Sequence, residues 1–179
     1  MRTPRAAGKL TRMLTVAVLM AVAGCAGGPS PAAWAASVCQ ALAPWRLQIG
    51  DLTAHTNQQM TAATTPAQAK ENLVRLFGGA REASETARRH VERAGVPDVD
   101  GGAEVVRRFL ASLAAARDAY GRASDAIAAL DTGRATSFYD GVEAAVAVLK
   151  QDYGRSALDT TNLDSPKLRR AFDEAPECR

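Results

Sequence analysis

Residues 106–130 read VRRFLASLAAARDAYGRASDAIAAL and carry the most regular apolar pattern in the chain. Apolar side chains recur there at steps of three and four residues, at Val106, Phe109, Leu113, Ala116, Tyr120, Ala123, Ile127 and Leu130. This spacing places them on one face of an α-helix. The stretch therefore predicts a long amphipathic helix that Gly101-Gly102 opens and Gly133 closes.

Two further helices are predicted before this stretch. The first is expected over residues 33–61, with a kink or break near residue 43, because Pro44 removes a backbone hydrogen bond there. The second opens at Thr65-Pro66-Ala67-Gln68, which has the form of a capping box with proline at the first helical position. Its inner stripe is expected to run through Leu73, Leu76, Ala80, Ala83, Ala87 and His90.

Two helices are predicted after it. The fourth is expected over residues 136–153, and Ser165-Pro166 caps a short fifth helix that carries Leu168 and Phe172 inward. Four long amphipathic segments joined by short turns predict an all-α fold, an up-down-up-down four-helix bundle with a short C-terminal helix. Because many inner positions are alanine, the helices are expected to pack closely and to leave little room for a large ligand.

The first 25 residues have the pattern of an export signal. A basic stretch that ends at Arg12 precedes the apolar residues 13–23, which fall short of the roughly 20 residues that a membrane span needs. The run Val22-Ala23-Gly24-Cys25 follows and resembles a bacterial lipobox. The resemblance implies cleavage before Cys25 and attachment of lipid to it. Two alternatives stay open, a permanent membrane span and cleavage by signal peptidase I at Ala33-Trp34-Ala35.

The lipobox resemblance divides the chain into three parts. Residues 1–24 are the lipoprotein signal peptide, residues 25–32 are the lipidated N-terminus and a linker, and residues 33–179 are the helical bundle domain. Two or three long acyl chains hold a protein at a membrane almost permanently. The expected location is therefore the extracytoplasmic face of the cell membrane.

Charge limits the partners of the mature domain. The whole chain has 22 basic and 19 acidic residues, but four of the basic ones lie in residues 1–24, so that 18 remain against 19. A domain with a net charge near −1 has no basic excess for nucleic acid, and none is expected as a partner. Its 155 residues suit a single domain.

Cys39 and Cys178 are the two cysteines that remain after Cys25. In an oxidising compartment an even pair predicts a disulfide, which would hold residues 172–178 against the start of the first helix. A redox or metal-binding pair is the alternative, although no C-x-x-C spacing is present. Together, Trp34…Cys39-Gln-Ala-Leu42…Trp45 and Phe172…Pro176-Glu-Cys178 resemble the small, functionally uncharacterised helical lipoproteins of actinobacteria. That resemblance supports the bridge and the bundle and implies no catalytic residues.

The residues that could carry chemistry do not form a recognisable site. His55 and His90 would lie ~25 Å apart along the predicted bundle, at 1.5 Å per residue. Asp51 and His55 share a helix face but have no second pair of ligands on another helix. The serines lack a G-x-S-x-G context, and no glycine-rich phosphate loop is present. We expect no enzymatic activity, no metal and no cofactor.

One distribution of charge suggests a contact with the membrane. Seven arginines are expected at the end of the bundle that carries the lipid, namely Arg88, Arg89, Arg93, Arg107, Arg108, Arg169 and Arg170. They could face anionic headgroups, at about 1 kcal/mol each near the surface. The alternative is an ordinary solvated face, on which Glu104 pairs with Arg108 across one helical turn.

Two classes of function remain. The first is an envelope interaction or structural protein, which presents helix faces or an acidic end to another cell-surface protein; that end carries Asp125, Asp131, Asp140 and Glu143. The second is a ligand-binding module that holds an apolar or lipid-like molecule between its helices. The aromatic walls of that site would be Trp34, Trp45, Phe109, Tyr120 and Phe138.

Overall fold

A computed structural model describes residues 27–155, 163 and 165–179. All regular structure in these residues is helical, which confirms the predicted fold class. The helices are α1 (Pro31–Gln59), α2 (Pro66–Arg93), α3 (Gly102–Ala128), α4 (Ala135–Arg155) and α5 (Pro166–Glu174), and a short 3₁₀ helix spans Pro176–Cys178.

Side-chain caps fix the starts of three helices. The Thr65 hydroxyl accepts from the Gln68 amide and the Gln68 side chain accepts from the Thr65 amide, so the predicted capping box is present. Ser30 and Ser165 cap α1 and α5 in a similar way, and all three helices have proline in the first turn. Gly95 follows α2 in the left-handed region, at a φ of 75°. This is a frequent way to end a helix.

Two predicted boundaries differ from the structure. Of the kink or break expected near residue 43, the break is wrong, because α1 is continuous across Pro44; a kink there stays a prediction. Leu42 and Trp45 are buried on either side of this proline, so packing holds the helix together despite the missing hydrogen bond. The third helix ends at Ala128, before Gly133. Gly133 instead lies in the following turn, where its amide donates to Asp131.

The four long helices pack in chain order as an up-down-up-down bundle. The extensive contacts are those of α1 with α2, α2 with α3, and α3 with α4, while α5 and the 3₁₀ helix pack on α1. The fold therefore has two ends. The α2–α3 end comprises residues 27–34 and 94–106, and the α3–α4 end comprises residues 60–65 and 128–135.

The core is divided between these ends. The larger part joins α1, the second half of α2, the first half of α3, and α5; its largest side chains are Trp34, Trp45, Phe109, Leu113, Leu168 and Phe172. The smaller part joins α2, α3 and α4, around Phe77, Ala119, Ala123, Ile127 and Leu149. The short helix α5 covers α1 at the α2–α3 end, whereas α4 completes the core at the other end.

The predicted burial of one residue in the inner stripe of α2 is wrong. His90 is exposed, and its neighbour Val91 is fully buried instead. Both residues lie three or four positions after Ala87, so the spacing alone allowed either one. The packing of α2 against α1 and α3 selects Val91.

Candidate functional site

The start of the domain is held against the loop between α2 and α3. The Pro29 carbonyl accepts from the Asp98 amide at 2.9 Å, and the Trp34 indole Nε1 donates to the Gly95 carbonyl at 2.9 Å. Gly28 lies so close to the Val96 carbonyl that no side chain would fit there. The predicted linker is thus largely part of the fold. The predicted signal peptide (1–24) and the predicted lipidation site, Cys25, lie outside the described residues.

The predicted disulfide between Cys39 and Cys178 is confirmed. The two Cα atoms are 5.1 Å apart, and the bridge joins residues separated by 139 positions in the chain. Beside it, the Phe172 ring meets the Trp34 ring edge-on, with the centroids 5.8 Å apart. The bridge therefore fastens the C-terminal segment to the first turns of α1, as expected from the sequence.

Most of the seven arginines predicted to face the membrane are paired within the protein. Arg107 and Arg108 both hydrogen-bond to Glu104, whose pKa they lower. Arg88 bonds to Glu85 and Glu92. The solvated-face alternative, in which Glu104 pairs with Arg108, is therefore present in the structure.

The remaining members of this group are dispersed. Arg89 lies 3.7 Å from a Glu85 oxygen, and Arg169 donates to the Leu163 carbonyl at 2.7 Å. Arg93 and Arg170 are exposed. Carboxylates of the protein offset part of the positive charge of this group, whereas the carbonyl contact of Arg169 offsets none of it. Contact of the group with a membrane stays a prediction.

Glu85 is the centre of an ion network between α2 and α3. It accepts hydrogen bonds from Arg88 on its own helix and from Arg117 on α3, the latter at 2.9 Å. These bonds lower the pKa of the Glu85 carboxyl to about 2. Arg117 also bonds to Asp118 and lowers the pKa of that carboxyl. The network joins α2 to α3.

Three of the five predicted ligand walls fill the larger core. Trp34 is fully buried and meets Phe109 edge-on at 5.5 Å. Trp45 is also buried, and its Nε1 donates to the Ser84 hydroxyl at 3.0 Å. Ser84 in turn donates to the Ala80 carbonyl. These aromatic side chains pack against one another and against protein groups.

The other two walls lie elsewhere in the fold. Tyr120 packs with Tyr153 near the smaller core, and burial together with Tyr153 raises the pKa of its phenol to about 12. Phe138 is fully buried at the start of α4, where it meets Tyr139 edge-on. The structure does not gather the five predicted walls around one space. Their role in holding a ligand stays a prediction.

An apolar groove between α3 and α4 is one of the concave features of the described residues, and it was not predicted from the sequence. It encloses about 420 Å³ and is lined by Ala119, Arg122, Ala123, Ala126, Leu130, Gly141, Ala144, Ala145, Val148 and Leu149. Small side chains on both helices form its floor, and Val148 is 52 % exposed on its rim. The signal was the recurrence of alanine and glycine at helical spacing on two neighbouring helices.

The acidic residues singled out from the sequence lie on the two helices of the groove and in the turn between them. Asp125 lies on α3, Asp131 in the turn, and Asp140 and Glu143 on α4; all four are exposed. They bring negative charge to the α3–α4 end of the fold, at the end remote from Gly28. The groove and the acidic residues therefore share one end of the molecule.

The histidines form no common site. His55 is exposed and shares a hydrogen bond with Gln59, while His90 is exposed on α2. In the part of the chain that the structure describes, no three His, Cys, Asp or Glu side chains are grouped closely enough to hold a metal ion. Across residues 27–155, 163 and 165–179, no helix has the length and apolar character needed to cross a bilayer.

No family model, no curated protein and no solved structure matches this chain at a significant level.

Proposed function

We propose that this chain is a lipid-anchored protein of the bacterial envelope that binds another envelope protein through the α3–α4 groove and catalyses no reaction. The apolar groove, at the end of the fold remote from Gly28, is the observation that carries the proposal. The lipobox supports anchoring at Cys25. The disulfide supports export, because such bridges persist in oxidising compartments.

The shape and charge of the groove indicate the kind of partner. Alanine and glycine line its floor, so an apolar side chain or a helix edge can approach the backbone closely. Arg122 lines the groove, and Asp125, Asp140 and Glu143 are exposed on the same two helices, so a partner with charges of both signs would suit the surrounding surface. The groove is small, so the partner would have to contact the surrounding helix faces as well to bury a stable interface.

The groove can be tested by crosslinking in intact cells of the producing bacterium. A photoreactive residue at Val148 is expected to form a discrete adduct with one envelope protein. Ala144→Arg places a long charged side chain in the groove and is expected to lower the adduct yield at least about tenfold, equivalent to a loss of about 1.4 kcal/mol. Ala147→Arg is the matched control, because Ala147 is exposed on the same helix but does not line the groove.

Anchoring is tested separately. The Cys25→Ala variant is expected to lack the mass of the lipid and to leave the membrane fraction, while the wild-type protein stays in it. Equal adduct yields for Ala144→Arg and Ala147→Arg would contradict binding through the groove. A wild-type protein whose measured mass lacks the lipid would contradict the anchor.

A ligand-binding module is the second candidate, and the groove volume favours it. About 420 Å³ lies within the range of small-molecule sites. Native mass spectrometry of the exported, oxidised protein tests it. An adduct that is present in the native spectrum, lost on denaturation and lost in Ala144→Arg would support a bound apolar molecule over a protein partner.

A further inference from the structure

The first described residues are rigidly attached to the fold. Pro29 and Asp98 share a backbone hydrogen bond, Trp34 donates to the Gly95 carbonyl, and Gly28 lies directly against Val96. Trp34 is itself fully buried in the larger core. Gly28 to Ser30 and the loop from Gly95 to Asp98 therefore move with the core as one body.

Little chain separates this body from the proposed lipid. Cys25 precedes Gly28 by three residues, and three residues span at most about 11 Å even when fully extended. The headgroup region of one leaflet is about 5–8 Å thick. The tether is thus scarcely longer than the headgroup layer, and it keeps the α2–α3 end at the membrane surface.

The surface beside the tether suits a shallow contact with lipid. Val96 is 46 % exposed and lies next to Gly28. The neighbouring sequence carries charges of both signs, since Asp98 and Asp100 are exposed in the same loop and Arg93 is exposed at the end of α2. An exposed apolar side chain without an excess of positive charge around it favours the membrane interface without requiring anionic lipid.

We propose that the α2–α3 end lies directly on the outer surface of the membrane, with Val96 in the headgroup region, so that the domain is held in one orientation. The α3–α4 groove then points away from the membrane, toward partners in the envelope. This inference rests on the proposed lipidation of Cys25.

A fluorescence experiment on the full, lipidated chain tests the orientation. The variants V96C and A63C each carry one fluorophore, and Ala63 is exposed at the opposite end of the fold. The purified proteins are reconstituted into phosphatidylcholine vesicles that contain a headgroup quencher lipid. Quenching at position 96 is expected to exceed that at position 63 by at least about fivefold. The same ratio is expected when part of the phosphatidylcholine is replaced by anionic phosphatidylglycerol.

The failure of the anchor and the failure of the orientation give different results. A purified chain without the lipid mass contradicts the proposed function and, with it, this inference. An acylated, vesicle-bound chain that is quenched equally at both positions contradicts the orientation alone.

A longer tether supplies the matched control. A flexible Gly/Ser segment of 20 residues inserted between Ala26 and Gly27 has an average span of about 25 Å. Quenching at position 96 is expected to fall toward the level at position 63, while the acyl mass and vesicle binding are retained. Unchanged quenching would overturn the conclusion that the short tether holds the domain in place.

Discussion

Ser84 is a small side chain with a large structural role. It is fully buried on α2, accepts a hydrogen bond from Trp45 on α1, and donates one to the Ala80 carbonyl. Every buried side-chain nitrogen and oxygen in the described residues has a hydrogen-bond partner, and Ser84 provides that of the Trp45 indole. Its hydroxyl thus links α1 to α2 by a buried hydrogen bond.

The Ser84→Ala substitution is expected to lower the free energy of unfolding by about 1–3 kcal/mol, because it leaves the buried Trp45 N–H without an acceptor. Urea denaturation monitored by Trp fluorescence and by circular dichroism measures the loss. Ser37→Ala is the control, since Ser37 is exposed on α1 and bonds only within its own helix turn; its effect is expected within about 0.5 kcal/mol. Equal losses in the two variants would contradict this role.

The roles of single residues were only partly predictable from the sequence. Cys39 and Cys178 could be paired because their chemistry allows few alternatives in an oxidising compartment. Ser84 could not be assigned, because its acceptor role depends on how α1 and α2 align, which no local pattern encodes. His90 was assigned wrongly for a similar reason, since helical spacing admitted both His90 and Val91.

At the scale of elements, the Glu85 network joins α2 to α3 and makes their contact depend on pH. The pKa of Glu85 is about 2 in the fold, against an ordinary value of 4.5. A lowered pKa means that the folded state favours the ionised carboxylate. Its stabilising contribution is therefore complete above pH about 4.5 and is lost as the pH falls toward about 2.

Glu85→Gln is expected to lower the free energy of unfolding by about 1 kcal/mol at pH 6, since Glu85 is partly exposed and solvent weakens its ion pairs. The same substitution is expected to have much less effect at pH 2. Urea midpoints of both proteins, measured at several pH values from 2 to 6, give the comparison. Glu82→Gln, on the exposed side of α2, is the control; a pH-independent difference for Glu85→Gln would exclude the carboxylate as the cause.

The positions of helices were predictable where a local signal fixed them. Thr65 and Ser165 opened α2 and α5 as expected, because a cap involves residues only three apart. The continuity of α1 across Pro44 was not predictable, since it depends on tertiary packing around Leu42 and Trp45. The α3–α4 groove was also missed, because small residues predict close packing equally well.

At the scale of the whole molecule, the Cys39–Cys178 bridge closes almost the entire described fold into a loop. Chain entropy predicts a contribution of roughly 5 kcal/mol for a loop of this length, and measured values for native bridges are about 2–5 kcal/mol. The bundle was predictable from four amphipathic segments. Its division into two cores was not, because the place of α5 beside α1 depends on contacts between distant residues.

Removing the bridge is expected to destabilise one end of the molecule more than the other. The double variant Cys39→Ala/Cys178→Ala should lose about 2–5 kcal/mol of unfolding free energy. Amide exchange should rise most in α5, which the bridge and the larger core hold against α1, and least around Ile127 in the smaller core. Reduced wild type should match the variant, and unchanged stability on reduction would contradict the predicted contribution.

The same bridge cannot close until the C-terminal end of the chain has been synthesised. Cys39 is made 139 residues before Cys178, an interval of roughly 7–28 s at about 5–20 residues per second. Throughout it, Cys39 is a thiol without its native partner, and Cys25 is only 14 residues away along the chain. Attachment of lipid to the Cys25 sulfur would remove that competing thiol. Early attachment of lipid would thereby protect the later closure of the fold from mispairing.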